Sequence, residues 1–299
     1  MKEHPRIRFV LFGIIVLVLM YGYHITRTIP DEFPVGKSFV VEEDETLHSV
    51  SLRLEQEQYI HSALWFRAWV SFLGRDRHVQ LGGYVFDTPY VLGAVIKKLV
   101  SGYPDTPLVK VTIPEGSTTE ETAKVFHDVI PSISEAVFIE KVHTLGAEGR
   151  LFPSTYFLLP STNENRSIEI MTDTFVKKYK ESTTVFDLPK ELTTQNDVIS
   201  LAAILEGEAK DEEAKKVVAG ILLTRLKRGM PLQVDAAKET YTKKGLPKIP
   251  INNPGLVAIS AVFNSTPSDY LYYITGDDGN MYYAKTFAEH KRNIQKYLK

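Results

Sequence analysis

The chain contains no cysteine. That removes disulfide frameworks, thiolate metal sites and a cysteine nucleophile together. It does not set the compartment, because extracytoplasmic proteins avoid cysteine too. Net charge is nearly absent: 35 Lys and Arg offset 37 Asp and Glu, leaving −2. With no strong field of either sign, nucleic acid is not expected as a main partner. No long repeat or low-complexity tract is present. Nor is there a metal-ligand spacing, a phosphate-binding glycine loop or a Ser/His/Asp arrangement, so no metal or cofactor is expected. What remains is a chain of 299 residues, 43% hydrophobic and 24% charged. That is enough for one large or two small cores.

The start of the chain is its most apolar part. Phe9–Ile25 reads FVLFGIIVLVLMYGYHI. It is about 17 residues long, at the short end of what spans a bilayer as a helix. Lys2, Arg6 and Arg8 precede it and predict that residues 1–8 stay in the cytoplasm. Tyr21 and Tyr23 suit the far interface. A cleaved signal peptide is the alternative, but Tyr21-Gly22-Tyr23-His24 is bulky where a cleavage site needs small residues. The expectation is a single-pass anchor in the cytoplasmic (inner) membrane, with the bulk of the chain extracytoplasmic.

Residues 26–37 contain Pro30 and Pro34 and read as an extended linker. A compact α+β unit is expected over residues 38–107. Ser38–Glu42 is strand-like, and Thr46–Leu54 and Ser62–Phe72 have helical spacing. Val79–Phe86 is a strand broken by a glycine pair, and Thr88-Pro89 opens a further helix. A second unit, residues 108–299, begins with a strand at Val109–Ile113 and a Pro114-Glu115-Gly116 turn. Ser117 or Thr118 can cap the next helix. Val137–Val142 and Met171–Tyr179 read as helices, and Leu151–Tyr156 as irregular and aromatic. The C-terminal third is better defined. Asn196 or Asp197 can cap a helix through VISLAAILEGEA, and Asp211 caps a second that stops at Gly229. A loop at Gly245–Gly255, a helix at Leu256–Phe263, a hairpin turning at Gly276–Gly279 and a polar terminal helix complete the chain.

On a wheel of about 100° per residue, Val198, Leu201, Ala202, Leu205 and Ala209 form one apolar stripe. Glu206 lies at one edge and Glu208 at the other. A carboxyl at such an edge is half-desolvated, which favours its protonated form. An acid kept protonated near neutral pH can donate a proton to a glycosidic oxygen. Charged residues at stripe edges are also ordinary solvated ones. Gln233, Asp235, Tyr241, Asn252, Asn253 and Tyr272 follow on loops or strand ends, and His290 lies on the last helix. Such side chains bind sugars; singly, each is more often structural.

The blocks EGRLFPSTYFL (Glu148–Leu158), LAAILEGEA (Leu201–Ala209), VAGILLTRLKRGMPLQVD (Val218–Asp235), GLPKIPINNPG (Gly245–Gly255) and YLYYITGDDGNMYYAKTFAEH (Tyr270–His290) occur in fixed order. With VTIPEGSTTEETA (Val111–Ala123) they resemble the endolytic murein transglycosylases, the YceG-like family. The resemblance implies a mixed α+β catalytic domain behind a transmembrane helix and a small LysM-like α+β domain. It implies cleavage of nascent peptidoglycan strands between N-acetylmuramic acid (MurNAc) and N-acetylglucosamine (GlcNAc). The product ends would be 1,6-anhydroMurNAc, and the cut would end strand elongation. Peptidoglycan strands are then the substrate, the peptidoglycan synthases are candidate partners, and no cofactor is needed. It places the catalytic residue at Glu206, a supporting acid at Glu208, and Gln233, Asp235, Asn253 and His290 at motif positions near the cleft. The chain departs from the pattern after Asp235: Ala236-Ala237 stand where the family usually has Pro-Thr, and a segment that normally follows is missing. Of a Tyr-Asn-Thr-Tyr stretch only Thr240-Tyr241 remains. Two rival readings follow: a hydrolase using Asp235 or Glu208 as a second acid, and a catalytically decayed, membrane-tethered peptidoglycan-binding or scaffold protein.

Overall fold

A computed structural model describes residues 5–42, 45–74, 79–101, 103–183 and 187–298. Lys2, used in the charge argument above, lies outside them. The chain divides into two compact units. One comprises residues 1–109 with a short return at 157–160, and the other comprises residues 110–156 and 161–299.

The first unit begins with helix α1, Pro5–Arg27. The expected span Phe9–Ile25 falls within it. Among the described residues, no helix is long and apolar enough to cross a membrane. Strand β1 (Ser38–Val41), helices α2 (Leu47–Gln56) and α3 (Ala63–Phe72), strand β2 (Gly82–Val85) and helix α4 (Leu92–Ser101) follow. Thr46 and Ser62 cap α2 and α3 through their side chains, satisfying N–H groups that a helix start leaves open. β1 and β2 pair antiparallel, Ser38 opposite Val85 and Val41 opposite Gly82. The glycine pair thus opens the strand, leaving residues 79–81 outside it, and α4 starts at Leu92, beyond Thr88-Pro89. The segment expected to be a free linker is anchored instead. Phe33 is buried against Tyr59 and Phe86 at 5.6 and 5.8 Å between ring centroids, and the Gly36 N–H donates to the Phe86 carbonyl.

The second unit contains β3 (Val109–Thr112, whose first residue belongs to the other unit), α5 (Thr119–Val129), α6 (Glu135–Leu145), β4 (Thr155–Leu158, whose last two residues belong to the other unit) and α7 (Glu164–Thr183). Then come α8 (Gln195–Glu208), α9 (Glu212–Lys227), α10 (Leu256–Phe263), β5 (Tyr272–Thr275), β6 (Met281–Ala284) and α11 (Phe287–Tyr297). The stretch read as irregular therefore ends in a strand, β4. Thr118 caps α5 in a reciprocal box with Glu121. Thr194, not Asn196 or Asp197, caps α8; Asp197 is the third helical residue and reaches back to the Thr194 N–H.

Helix α8 is the centre of this unit. The reading of a single apolar stripe is too narrow, because every residue from Val198 to Leu205 is buried. A helix apolar on all sides belongs in the interior, and α9 and α10 pack around it. Even Ser200 is buried, its hydroxyl donating to the Pro247 carbonyl. Asp211 caps α9 by accepting from the Ala214 N–H, and Gly229 takes a φ of 62° just past its end, where L side chains are strained. The four-residue β5–β6 hairpin pairs Tyr272 with Ala284 and Thr275 with Met281, and α11 packs against it.

Midway along α9, Gly220 lies against the Thr266 carbonyl, and any Cβ there would collide with that backbone oxygen. Backbone cannot swing aside as a side-chain tip can, so Gly220→Ala should destabilise the unit by about 1–3 kcal/mol. Thermal or urea denaturation checks it; an unchanged midpoint would show that the 266–267 loop yields freely.

Candidate active site

The turn between α8 and α9 brings Glu206 and Lys215 together. Both side chains are nearly closed to solvent, at 8% and 5% exposure, and Lys215 Nζ lies 2.6 Å from Glu206 Oε1. The Glu206 carboxylate is thus more buried than a stripe-edge position implied. Its other oxygen, Oε2, accepts the Gly255 N–H at 2.9 Å. One ammonium and one main-chain donor therefore hold both oxygens. Charge-assisted bonds of this kind are the strong ones.

Close backbone approach makes this possible. Gly116, at φ 76°, leaves room for Glu206, whose Cγ would lie 3.3 Å from an added Cβ. At Gly255 an added Cβ would run into the Glu115 carboxylate. Asn253 holds the two loops in register. Its side chain donates to the Ser117 carbonyl and accepts from the Leu151 N–H, and its backbone exchanges bonds with Ser117 and Gly116. Asn253 is 1% exposed and lines neither cavity described below. Of the two roles open to Asn253, substrate contact or support, its bonds are those of a support, which sets the position of the Gly255 N–H.

Two cavities open at the C-terminal end of α8. The smaller, about 450 Å³, is lined by Glu206, Glu115, Lys215 and Asp211 among others. The larger, about 660 Å³, gathers Glu208, Gln233, Asp235, Tyr241 and His290 with Tyr272, Tyr273 and Arg225. Glu208 and Thr275 line both. Sequence-expected residues thus fall at both cavities: Glu206 at the first, Gln233, Asp235, Tyr241, Tyr272 and His290 at the second, and Glu208 at the junction.

Around the larger cavity the acids are engaged. Glu208 Oε1 accepts the Ala236 N–H and Oε2 accepts the Tyr273 hydroxyl, at 3.0 and 3.2 Å. Burial first, and then the Glu208 charge, push the Tyr273 hydroxyl well above its ordinary value. Asp235 accepts the Tyr241 hydroxyl at 2.7 Å, a bond that raises the tyrosine. Gln233 adopts φ 50°, rare for a residue with a side chain, and its Oε1 accepts from Arg225 at 2.9 Å. His290 stacks on Tyr272 with centroids 5.2 Å apart. Among the described residues no cluster of His, Asp and Glu is placed to hold a metal ion.

Lys215, Arg225, Gly255 and Tyr273 were not singled out from the sequence. A signal existed for the two cations. Lys215 and Arg225 lie at opposite ends of the face carrying Val218 and Leu222, where α9 is buried. Basic residues on an apolar stripe ask for a partner or a ligand.

A mixed α+β unit with a buried, doubly held carboxylate at the wall of one cavity, beside a second, defines a candidate acid–base site. The model of the YceG-like family matches residues 39–239 and 238–296, and the chain belongs to that family. It is 24% identical to the endolytic murein transglycosylase of Bacillus subtilis strain 168, over 93% of this chain and 89% of that protein. It is also 24% identical to the endolytic murein transglycosylase of Streptococcus pneumoniae strain R6, over 86% of this chain but only 58% of that longer protein. A crystal structure of a YceG-like protein from Listeria monocytogenes shares the fold, with a TM-score of 0.53 and 23% identity, covering 86% of this chain and 99% of that one.

Burial, and then the nearby Arg225 charge, lower the His290 imidazole below the ordinary value of 6.5. The fold therefore favours neutral His290, while the unfolded chain takes up a proton below that value. Stability should fall as pH drops through about 6.5 and level off once the folded-state value is passed. Chemical denaturation from pH 7.5 to 5 should show this slope shrink in His290→Gln; an identical slope would assign it to other groups.

Proposed function

We infer that the chain is an endolytic lytic transglycosylase acting on peptidoglycan glycan strands, with Glu206 as its single acid and base. The observation that carries this reading is the charge environment of Glu206. It is a buried carboxylate at a cavity wall whose Oε1 meets the Lys215 ammonium, whereas Glu208 and Asp235 accept from neutral donors of the neighbouring framework. The relatives named above are murein transglycosylases, which supports murein as the substrate class.

One carboxyl suffices for the chemistry. Protonated Glu206 gives its proton to O4 of GlcNAc as the bond from that oxygen to MurNAc C1 breaks. The resulting carboxylate then takes the proton of the MurNAc C6 hydroxyl as O6 closes on C1. The product carries a 1,6-anhydro end, and the carboxyl ends the cycle protonated. No water is consumed, unlike in the paired-carboxylate glycosidases. The carboxylate paired with Lys215 corresponds to the halfway point of this cycle. There the Lys215 ammonium meets the charge that has just appeared on Oε1, and the Gly255 N–H meets it on Oε2.

The surroundings fit a nascent strand. α1 keeps Val10, Phe12, Leu17 and Met20 more than half exposed, which supports an anchor in lipid; the basic residues ahead of the apolar run support an orientation with the remainder outside the cytoplasm. The β1–α2–α3–β2 order of the first unit supports the LysM-like reading, in which that unit binds glycan or docks on synthases. Cutting close to the membrane would end elongation of a strand.

Full-length Glu206→Gln should lose activity on purified sacculi and still fold, with a lowered stability because the Lys215 ammonium stays buried without its counter-charge. Mass spectrometry of the wild-type digest should show anhydroMurNAc ends, one water lighter than reducing ends. Reducing ends would establish the two-acid hydrolase instead. No cleavage by wild type, with sacculi still bound, would establish the tethered binding protein.

Lys215→Met should lower kcat on the order of 10²-fold, and Lys215→Arg should restore part of it. Equal rates for Lys215→Met and wild type would remove Lys215 from the reaction.

A further inference from the structure

Helix α9 carries two buried cations, and only one has a counter-charge. Lys215 has Glu206. Arg225 is 4% exposed, and among the described residues no carboxylate pairs with it. Its Nη2 donates to Gln233 Oε1, a neutral acceptor, and its Nε is buried without a partner. The guanidinium lies 5.6 Å from the centre of the Tyr272 ring. His290 stacks on the same ring, and its Nδ1 is likewise buried and unpartnered. Both residues line the larger cavity. A guanidinium withdrawn from water without an anion is costly. The cost is recovered when a ligand brings the anion to it.

The charge at this cavity restricts which anion fits. Glu208 and Asp235 line the same wall and are bound to Tyr273, Ala236 and Tyr241 rather than to Arg225. They repel a multiply charged phosphate. One guanidinium matches one negative charge, and its fork suits a carboxylate.

We propose that Arg225 is the anion-recognition group of the larger cavity and that it takes a single carboxylate from the peptide carried by the glycan strand. The assignment rests on the reading of murein as the substrate. The enzyme then recognises a peptide-bearing repeat, not the sugar backbone alone, and the cut is directed to strands whose peptides are still attached.

The test measures pelleting of full-length Glu206→Gln protein with three murein preparations: untreated, methylamine-amidated through carbodiimide, and phosphate-stripped with hydrofluoric acid. Amidation should weaken binding roughly tenfold, and phosphate stripping should leave it unchanged. Adding Arg225→Gln should lower binding to untreated murein to the amidated level and abolish the difference between the two. Arg225→Lys should keep part of the difference. An equal loss on both preparations in Arg225→Gln, with discrimination intact, would make Arg225 purely structural and overturn the proposal. Insensitivity of the Glu206→Gln protein to amidation overturns it even if Arg225→Gln does not fold. Loss on phosphate stripping alone overturns the carboxylate assignment. Binding to none of the preparations overturns both this proposal and the murein reading. Amidation-sensitive binding that disappears with Arg225→Gln, from a chain that never cuts murein, would sink the enzyme reading and leave this subsite standing.

Discussion

A carboxylate cannot be kept out of water without partners, and much of the second unit is arranged around meeting that condition for Glu206. The helix that carries it is buried on every side, so the acid emerges only at the helix end. The turn to α9 then has to be short enough to return Lys215 to Oε1, and the 252–255 loop close enough to bring the Gly255 N–H to Oε2. Removing either partner alone would leave part of a buried charge uncompensated, which is the expensive way to break an ion pair. The pair is therefore better understood as a geometric constraint than as a source of net stability.

This constraint explains which parts of the site act directly and which act through others. Asn253 touches neither cavity, yet it joins the Gly116 loop, Leu151 and the 252–255 loop in one hydrogen-bond set. Glu208 braces the segment after Gln233 and the β5 strand, tying the walls of the two cavities together. The left-handed backbone at Gln233 is the kind of local strain that clusters at functional sites, and it orients an acceptor that Arg225 uses.

Much of this was legible from residue order, and the failures have physical causes. The α9 start at Asp211, its stop at Gly229, helix Leu256–Phe263 and the Gly276–Gly279 hairpin follow from local capping and turn chemistry, which act within a few residues. Thr194 was missed as a cap because Asn196 and Asp197 are equally good capping types, and only the backbone angle at Thr194 decides between them. The α8 stripe was drawn too narrow because it left out Ile199, Ser200, Ala203 and Ile204, which are buried as well; Ser200 and Ala203 are small or polar and give little hydrophobic contrast. Phe33 joined a core instead of a linker because its aromatic partners, Tyr59 and Phe86, are distant in sequence. Glu206 could be picked out as an acid, but its environment could not, since Gly255 lies 49 residues further on.

The donor on Oε2 is a peptide N–H, and that has a consequence for how the site tolerates change. A side-chain ligand is lost when its own residue is replaced, whereas an N–H is lost when the backbone is displaced. At Gly255 the side chain is excluded by Glu115, so the backbone lies open beside the acid. A change in the path of the 252–255 loop, rather than in its side-chain chemistry, is what releases that oxygen, so position 255 is constrained by volume and Asn253 by the bonds that fix the loop.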